Sequence, residues 1–146
     1  MTEAQEFLMQ IRKCDSLINR KMAKKAALYD MITRTTPSMK SDVVSGGGDH
    51  DRMAGAIAKM IDLEEEINRD IDRYVDLQRE AEKLLDKVAE KNARHHELLC
   101  RRYISYESFD HIAAEMGYAA TRGATKLHGR ALQTLQKILD EEKEGV

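Results

Sequence analysis

The chain has 146 residues, with 24 basic and 26 acidic side chains; charged residues make up 34% of it and aromatic residues only 5%. With one proline and no tryptophan, this composition is typical of long helices rather than of a sheet-based core. No apolar run reaches the ~20 residues of a membrane span, and the N-terminus lacks a signal-peptide pattern, so we expect a cytoplasmic protein without a membrane partner.

The net charge of −2 is unevenly distributed along the chain. Residues 1–34 carry a net charge of +3, residues 52–90 a net charge of −4, and residues 91–139 a net charge of +4. A basic final third can supply the local field that nucleic-acid binding needs, even in a protein that is acidic as a whole. Cys14 and Cys100 lie far apart in the sequence, and we expect both to be reduced thiols.

A first amphipathic helix is predicted over residues 3–34, because apolar residues recur there at helical spacing. These residues are Phe7, Ile11, Cys14, Ile18, Met22, Leu28 and Ile32. Thr35, Thr36 and Pro37 are expected to end this helix, since the residue before a proline avoids the α conformation. Residues 35–51 are rich in turn formers, including three consecutive glycines from Gly46, and they predict a flexible loop.

A second helix is predicted over residues 52–90, with a heptad pattern that is typical of a coiled coil. Its seam positions are Ile57, Met60, Glu64, Ile67, Ile71, Tyr74, Gln78, Ala81, Leu85 and Val88. The opposite charges of the two helices favour an antiparallel helical hairpin over residues 1–90. The alternative is a parallel homodimer through the second helix. In either case Ile67, Ile71 and Tyr74 are the candidate seam residues.

Residues 91–140 predict three short helical segments in an all-α module, followed by an acidic tail over 141–146. Asn92 is expected to cap a helix from Ala93 to about Tyr103, and Ser105 is expected to open the next one. That helix would turn Phe109, Ile112, Ala113 and Met116 inward, and Gly117 would end it in a left-handed conformation with Tyr118 filling the turn. The last helix would start near Ala120 and bury Leu127, Ala131, Leu135 and Ile138. Two helices joined by such a turn are typical of a DNA-binding helix-turn-helix.

Subtracting the buried positions leaves a polar and basic side of the last helix for contact with duplex DNA. Reading base edges requires long donors near the start of a recognition helix, and arginine can bind guanine with two hydrogen bonds. The base-reading candidates are Thr121, Arg122, Thr125 and Lys126. Candidates for contact with the DNA backbone are Arg101, Arg102, His128 and Arg130.

Other patterns in the chain do not predict a catalytic or metal site. His96 and Cys100 have the spacing of two helical metal ligands, but two ligands do not make a zinc site, and a core thiol is the favoured interpretation. The acidic run that includes Glu64, Glu65, Glu66, Asp70 and Asp72 is interpreted as a solvated helix face rather than a magnesium site. We find no phosphate-binding loop or nucleophile–base pair, and we expect no enzyme activity, no cofactor and no metal.

Three segments of the final third, ELLCRRYI, FDHIAAEMGY and KLHGRALQTL, resemble region 4 of bacterial sigma factors. A broader resemblance covers nearly the whole chain. The segments EFLMQIRKCDSLINRK, TTPSMKSDVV and DRMAGAIAKMIDLEEEINRDIDRYVDL are similar to ArpU-like, sigma-region-4-like transcriptional regulators of phages and prophages. This resemblance implies a phage or prophage transcriptional regulator that binds double-stranded DNA in the cytoplasm of a bacterial host.

Alternative implications of the same module are docking to bacterial RNA polymerase, or DNA packaging of the small-terminase kind. The chain departs from the family pattern at two positions near the start of the last helix. Ala119 is a poor cap, and Gly123 costs about 1 kcal/mol relative to alanine in a helix interior. From the sequence we therefore expect both residues to weaken the start of the recognition helix.

Overall fold

The computed structural model describes residues 1–39 and 46–145, with side chains for residues 1–34 and 50–145. It contains five α-helices and one π-helical segment, and no strand occurs in the described ranges. The helices are α1 (Glu3–Met39), α2 (Gly46–Lys91), α3 (Ala93–Leu99), α4 (Phe109–Glu115) and α5 (Thr121–Glu144), with the π-helical segment (Cys100–Ile104) after α3. The all-α prediction is confirmed. Within the described residues, no helix combines the length and hydrophobicity that crossing a membrane requires.

The chain divides into two compact units, and each long helix contributes to both. The first unit contains residues 1–13 and 75–146, and the second contains residues 14–74. The sequence-based boundary near residue 90 falls inside the first unit. The first turns of α1 thus belong with the C-terminal segment.

In the second unit, parts of α1 and α2 pack along each other as an antiparallel pair. Ile18, Leu63 and Ile67 are buried, and the Cys14 thiol donates to the backbone carbonyl of Asp70 at 3.5 Å. Both cysteines are free thiols, and burial raises the pKa of Cys14. This apolar contact is small because the described parts of the unit supply only two helices.

Ion pairs along this contact join the positive α1 to the negative α2. Lys21 Nζ lies 2.7 Å from Asp70 Oδ2 and 3.7 Å from Glu66 Oε2, and Lys25 Nζ lies 2.9 Å from Glu64 Oε1. Lys21 pairs with Asp70, whereas Lys25, which comes later in the chain, pairs with Glu64, which comes earlier than Asp70. The two segments therefore run in opposite directions. The charges that suggested an antiparallel arrangement are thus the ones that meet across it.

The buried face of α2 differs from the predicted heptad seam. Ile67 is buried and Tyr74 is partly buried, whereas Ile71 is 40% exposed and Ile57 is 38% exposed. The helix instead buries Ala56 and Leu63, which lie one residue before the predicted seam positions. Of the three seam candidates, Ile71 therefore faces solvent in this unit.

The two long helices extend further than the sequence predicts. The prediction that Thr35–Pro37 end the first helix is wrong, because α1 continues to Met39. Helix α2 begins at Gly46 rather than Arg52. A proline removes one backbone hydrogen bond from a helix, and here the rest of the turn stays helical. Of the predicted flexible loop 35–51, only residues 40–45 lie between the helices, and they are outside the described residues.

The first unit has a continuous apolar core to which every helix contributes. Its largest fully buried side chains are Leu8, Ile11, Val88, Leu98, Leu99, Ile112 and Leu135. The start of α1 is tied to α5, because the Ala4 N–H donates to Gln136 Oε1 at 2.9 Å and Lys143 Nζ pairs with Glu3 Oε2 at 2.6 Å. The predicted inward positions of the last helix are confirmed as buried.

The predicted acidic tail is helical over most of its length, since α5 continues to Glu144. Its carboxylates meet lysines near the end of α2. Glu142 pairs with Lys87, and Glu141 Oε2 lies 3.5 Å from Lys91 Nζ. These partly exposed pairs are screened by water and contribute little stability individually.

The start of α3 and the helical extent to about Tyr103 agree with the sequence, whereas the start of the next helix does not. Asn92 caps α3, and its Oδ1 accepts hydrogen bonds from the N–H groups of Arg94 at 3.0 Å and His95 at 3.2 Å. Helix α3 ends at Leu99 and widens into a π-helical turn, in which the Ser105 N–H bonds the carbonyl of Cys100. Ser105 therefore ends one segment rather than opening the next.

The cap of α4 is Ser108, whose Oγ accepts from the His111 N–H at 3.2 Å. Tyr106 separates the two segments with a left-handed backbone, at a φ of 56°. A non-glycine residue rarely adopts this conformation. The next helix thus begins after this left-handed residue, three residues later than predicted.

Replacing Asn92 by alanine is expected to lower the free energy of unfolding by about 1 kcal/mol, because two N–H groups of α3 lose their acceptor. Urea unfolding followed by circular dichroism measures this change. Asn92→Asp is the control, since its carboxylate accepts the same bonds and should keep the wild-type stability. Equal losses for the two variants would contradict a capping role.

Candidate nucleic-acid interface

The connection between α4 and α5 is a tight turn built around Gly117. Its φ is +83°, as predicted for a left-handed helix end. The Tyr118 N–H donates to the Ala113 carbonyl at 2.8 Å, which closes the last turn of α4. Ile112 and Ala113 are buried on the inner side of α4. The short turn holds the start of α5 close to the end of α4.

Helix α5 begins without a side-chain cap. Its N-cap is Ala120, one residue after the predicted position, and an alanine side chain has no acceptor to offer. Thr121 Oγ1 donates instead to Oδ1 of Asp110 on α4. A carboxylate near a helix N-terminus is favoured by the helix dipole, so Asp110 compensates in part for the missing cap. Nothing in the local sequence indicates this contact.

An uninterrupted row of basic side chains runs along the outer face of α5. Arg122, Lys126 and Arg130 are exposed at intervals of four residues, and the exposed Thr125 lies beside them. In the described part of the chain, none of the three cations forms an ion pair. The opposite side of the helix is buried in the core. The row is therefore held on a fixed helix and remains available to an anionic partner.

Arg101 and Arg102 are already engaged with neighbouring groups. Arg101 Nη1 lies 3.0 Å from Glu107 Oε1, and Arg102 Nη1 donates to the Glu107 carbonyl at 3.0 Å. The Arg102 guanidinium also lies 4.2 Å from the centroid of the Phe109 ring. Binding DNA phosphates would compete with these contacts, which sets both arginines apart from the row on α5.

His128 does not face outward as the sequence predicted. Its Nε2 lies 2.7 Å from the Tyr103 hydroxyl, and its ring stacks on Tyr103 and meets the edge of Phe109. Burial and the nearby Arg102 lower the pKa of His128, and burial raises the pKa of Tyr103. Both shifts favour the uncharged forms, and the Tyr103 hydroxyl and His128 Nε2 share a hydrogen bond. His128 joins the π-helical segment to α5.

Gly123 has a packing role that the sequence did not reveal. A β-carbon at this position would lie 2.4 Å from Cδ1 and 2.7 Å from Cγ of Tyr118. Tyr118 thus covers the first turn of α5, and the Arg94 guanidinium lies 5.2 Å from the centroid of its ring. The expectation that Gly123 only weakens the helix is corrected, because its missing side chain makes room for Tyr118.

Arg130 lies beside a further polar contact that the sequence did not reveal. His95 Nδ1 is 2.9 Å from Thr134 Oγ1, and burial together with the nearby Arg130 lowers the pKa of His95. The neutral imidazole ties α3 to α5 next to the basic row. The sequence shows that residue 95 is a polar histidine. It does not show that the partner of His95 is Thr134, four residues after Arg130 on α5.

His96 and Cys100 do meet on one side of the helix, with 3.4 Å between Nε2 and Sγ. Burial raises the pKa of Cys100, which disfavours the thiolate that a metal ion would need. Within the described residues, no group of three or more His, Cys, Asp or Glu side chains is placed to hold a metal ion. The pair is a local contact between two helical neighbours.

Replacing Gly123 by alanine is expected to lower the free energy of unfolding by ~1–3 kcal/mol, because the new methyl group overlaps Tyr118. Gly129→Ala is the matched control, since nothing lies within 4 Å of its added β-carbon. That variant should gain about 1 kcal/mol from helix propensity alone. In a Tyr118→Ala background the cost of Gly123→Ala should disappear, and an unchanged cost would refute the overlap.

Acidification is expected to destabilise the protein through His128. Its folded-state pKa is lowered, so the unfolded chain takes up the proton first. Its contribution to stability is therefore complete above pH ~6.5 and is lost as the pH falls below that value. The free energy of unfolding measured from pH 7.5 to 5 should fall less steeply for His128→Gln than for the wild type. Equal slopes for His128→Gln and the wild type would contradict this contribution.

No protein-family model, no curated protein and no solved structure matches the chain.

Proposed function

We propose that the chain binds duplex DNA through a sigma-region-4-like helix-turn-helix and regulates transcription in a phage or prophage. In this proposal α4 and α5 form the motif, with α5 as the recognition helix. The observation that carries it is the exposed row of Arg122, Lys126 and Arg130, none of which pairs with a carboxylate in the described residues. The row follows a tight turn of the kind that joins the two helices of such a motif.

The dimensions of the row suit a DNA groove. The three cations lie eight residues apart from first to last, which corresponds to about 12 Å along a helix. The major groove admits an α-helix, and the first turns of a recognition helix reach the base edges. Arg122 is the principal base-reading residue in this proposal, with Thr125 and Lys126 behind it. Arg130 contacts a phosphate.

The internal contacts refine the earlier set of candidates. Arg101, Arg102 and His128 each have partners within the fold, so the proposed interface depends on α5 alone. The Thr121 hydroxyl donates to Asp110. In this proposal Thr121 therefore faces DNA with its backbone rather than with its hydroxyl. Exposed cations without partners bind phosphates at a lower cost, because no existing ion pair has to break.

Selection from a pool of random duplexes, followed by fluorescence anisotropy at several salt concentrations, tests the proposal. Arg122→Ala should cost about 1–3 kcal/mol on the selected duplex and relax the preference at one base pair. Arg130→Ala should weaken binding to all sequences and reduce the salt dependence by about one phosphate contact.

Lys137→Ala is the control on the same helix, since Lys137 is exposed about 16 Å beyond Lys126. Its affinity for the selected duplex should match that of the wild type. Failure to enrich any sequence would overturn sequence-specific binding. Capture of RNA polymerase without affinity for any duplex would assign the basic row to a protein partner instead.

A further inference from the structure

The unit formed by residues 14–74 leaves several large apolar side chains uncovered. On α2 these are Ile57, Ile61 and Ile71, with exposures of 38%, 49% and 40%. At 100° per residue, their spacing places all three within an arc of about 80° on one side of the helix. This side is distinct from the side that contacts α1, where Ala56, Leu63 and Ile67 are buried. The helix therefore presents a second apolar stripe to solvent.

The centre of this stripe has a pattern that is the same in both directions. Ile61, Glu64, Asn68 and Ile71 follow one another at intervals of three, four and three residues. All four are exposed, and the order is apolar, polar, polar, apolar. A two-fold axis that passes near residue 66 would place position 61 opposite position 71 of a second antiparallel copy, and position 64 opposite position 68. Symmetric dimers require surfaces that are self-complementary in this way.

We propose that this stripe of α2 pairs with the same stripe of a second copy, with the two helices antiparallel. Ile61 then lies opposite Ile71 of the second copy. On the other side of the two-fold axis, Ile71 lies opposite Ile61 of the second copy. Glu64 lies opposite Asn68 of the second copy, so that the carboxylate accepts a hydrogen bond from the side-chain amide. Each contact occurs twice, and Ile57 extends the apolar area at each end.

The charges of the unit favour a second copy over a charged partner. Glu64 is already paired with Lys25, and Lys21 is paired with both Asp70 and Glu66. The stripe therefore has no unpaired cation on it to attract an acidic peptide or a nucleic acid. A two-helix unit with a small core also gains stability when further apolar surface is buried. The proposed dimer does not depend on DNA binding by α5.

Sedimentation equilibrium of the full chain over a range of concentrations measures the dimer. Asn68→Lys places an ammonium group opposite Glu64 of the second copy and should lower the dimer Kd about tenfold, whereas Asn68→Glu places like charges there and should raise it by a similar factor. Arg69→Glu is the control, because this exposed residue points about 100° away from Asn68. A monomer at all concentrations, or equal effects of the two Asn68 variants, would overturn the proposal.

Disulfide crosslinking tests the register. An equal mixture of Ile61→Cys and Ile71→Cys should crosslink on oxidation, whereas neither variant alone should. In the antiparallel register, each position lies about 15 Å from its own copy along the axis, beyond the reach of a disulfide. Crosslinking of Ile61→Cys to itself would indicate a parallel pair and would overturn the antiparallel arrangement. Because neither test involves DNA, its result is separate from that of the proposed function.

Discussion

The close approach of Tyr118 to Gly123 is the contact on which the C-terminal geometry depends. The tyrosine ring occupies the space that a side chain at position 123 would need, so the turn can lie flat on the first turn of α5. With the turn fixed there, Ala124 and Leu127 point into the core and Arg122 and Lys126 point away from it. A larger residue at 123 would lift the turn and change the direction of the whole basic row. The absence of a β-carbon at position 123 thus allows Tyr118 to pack on the first turn of α5.

Two sets of arginines in the first unit, those of the π-helical segment and those of α5, differ in their partners. Those of the π-helical segment contact the Glu107 side chain, the Glu107 carbonyl and the face of Phe109. Those of α5 are exposed and form no ion pair with any residue that the structure describes. A count of basic residues does not distinguish these two sets of arginines. Only those of α5 could bind a phosphate without breaking a contact inside the protein. The distinction comes from the π-helical turn, which brings Glu107 close to both arginines.

Helix positions and inward faces followed from the sequence where the signal was local and periodic. The cap at Asn92, the left-handed Gly117 and the buried side of α5 each depend on neighbours within a few residues, and each was predicted correctly. Several errors arose where a distant residue decided the outcome. His128 was placed outside because nothing in its own helix indicates Tyr103, and the buried side of α2 was misplaced because its partner on α1 selects it. Gly123 was misread for the same reason, since propensity describes a helix in isolation.

The joining of the start of α1 to the end of α5 has a consequence for the order in which the protein folds. The hydrogen bond from Ala4 to Gln136 and the ion pair of Glu3 with Lys143 connect residues 132 and 140 positions apart. During synthesis, α1 is made well before α5, so the contacts of Glu3 and Ala4 with α5 form only after the intervening chain has been made. Contacts of such long sequence separation slow folding, because a large loop must close before they form. The segment 14–74 lies inside that loop, and its internal contacts have shorter sequence separations. These contacts can therefore form before the start of α1 contacts α5.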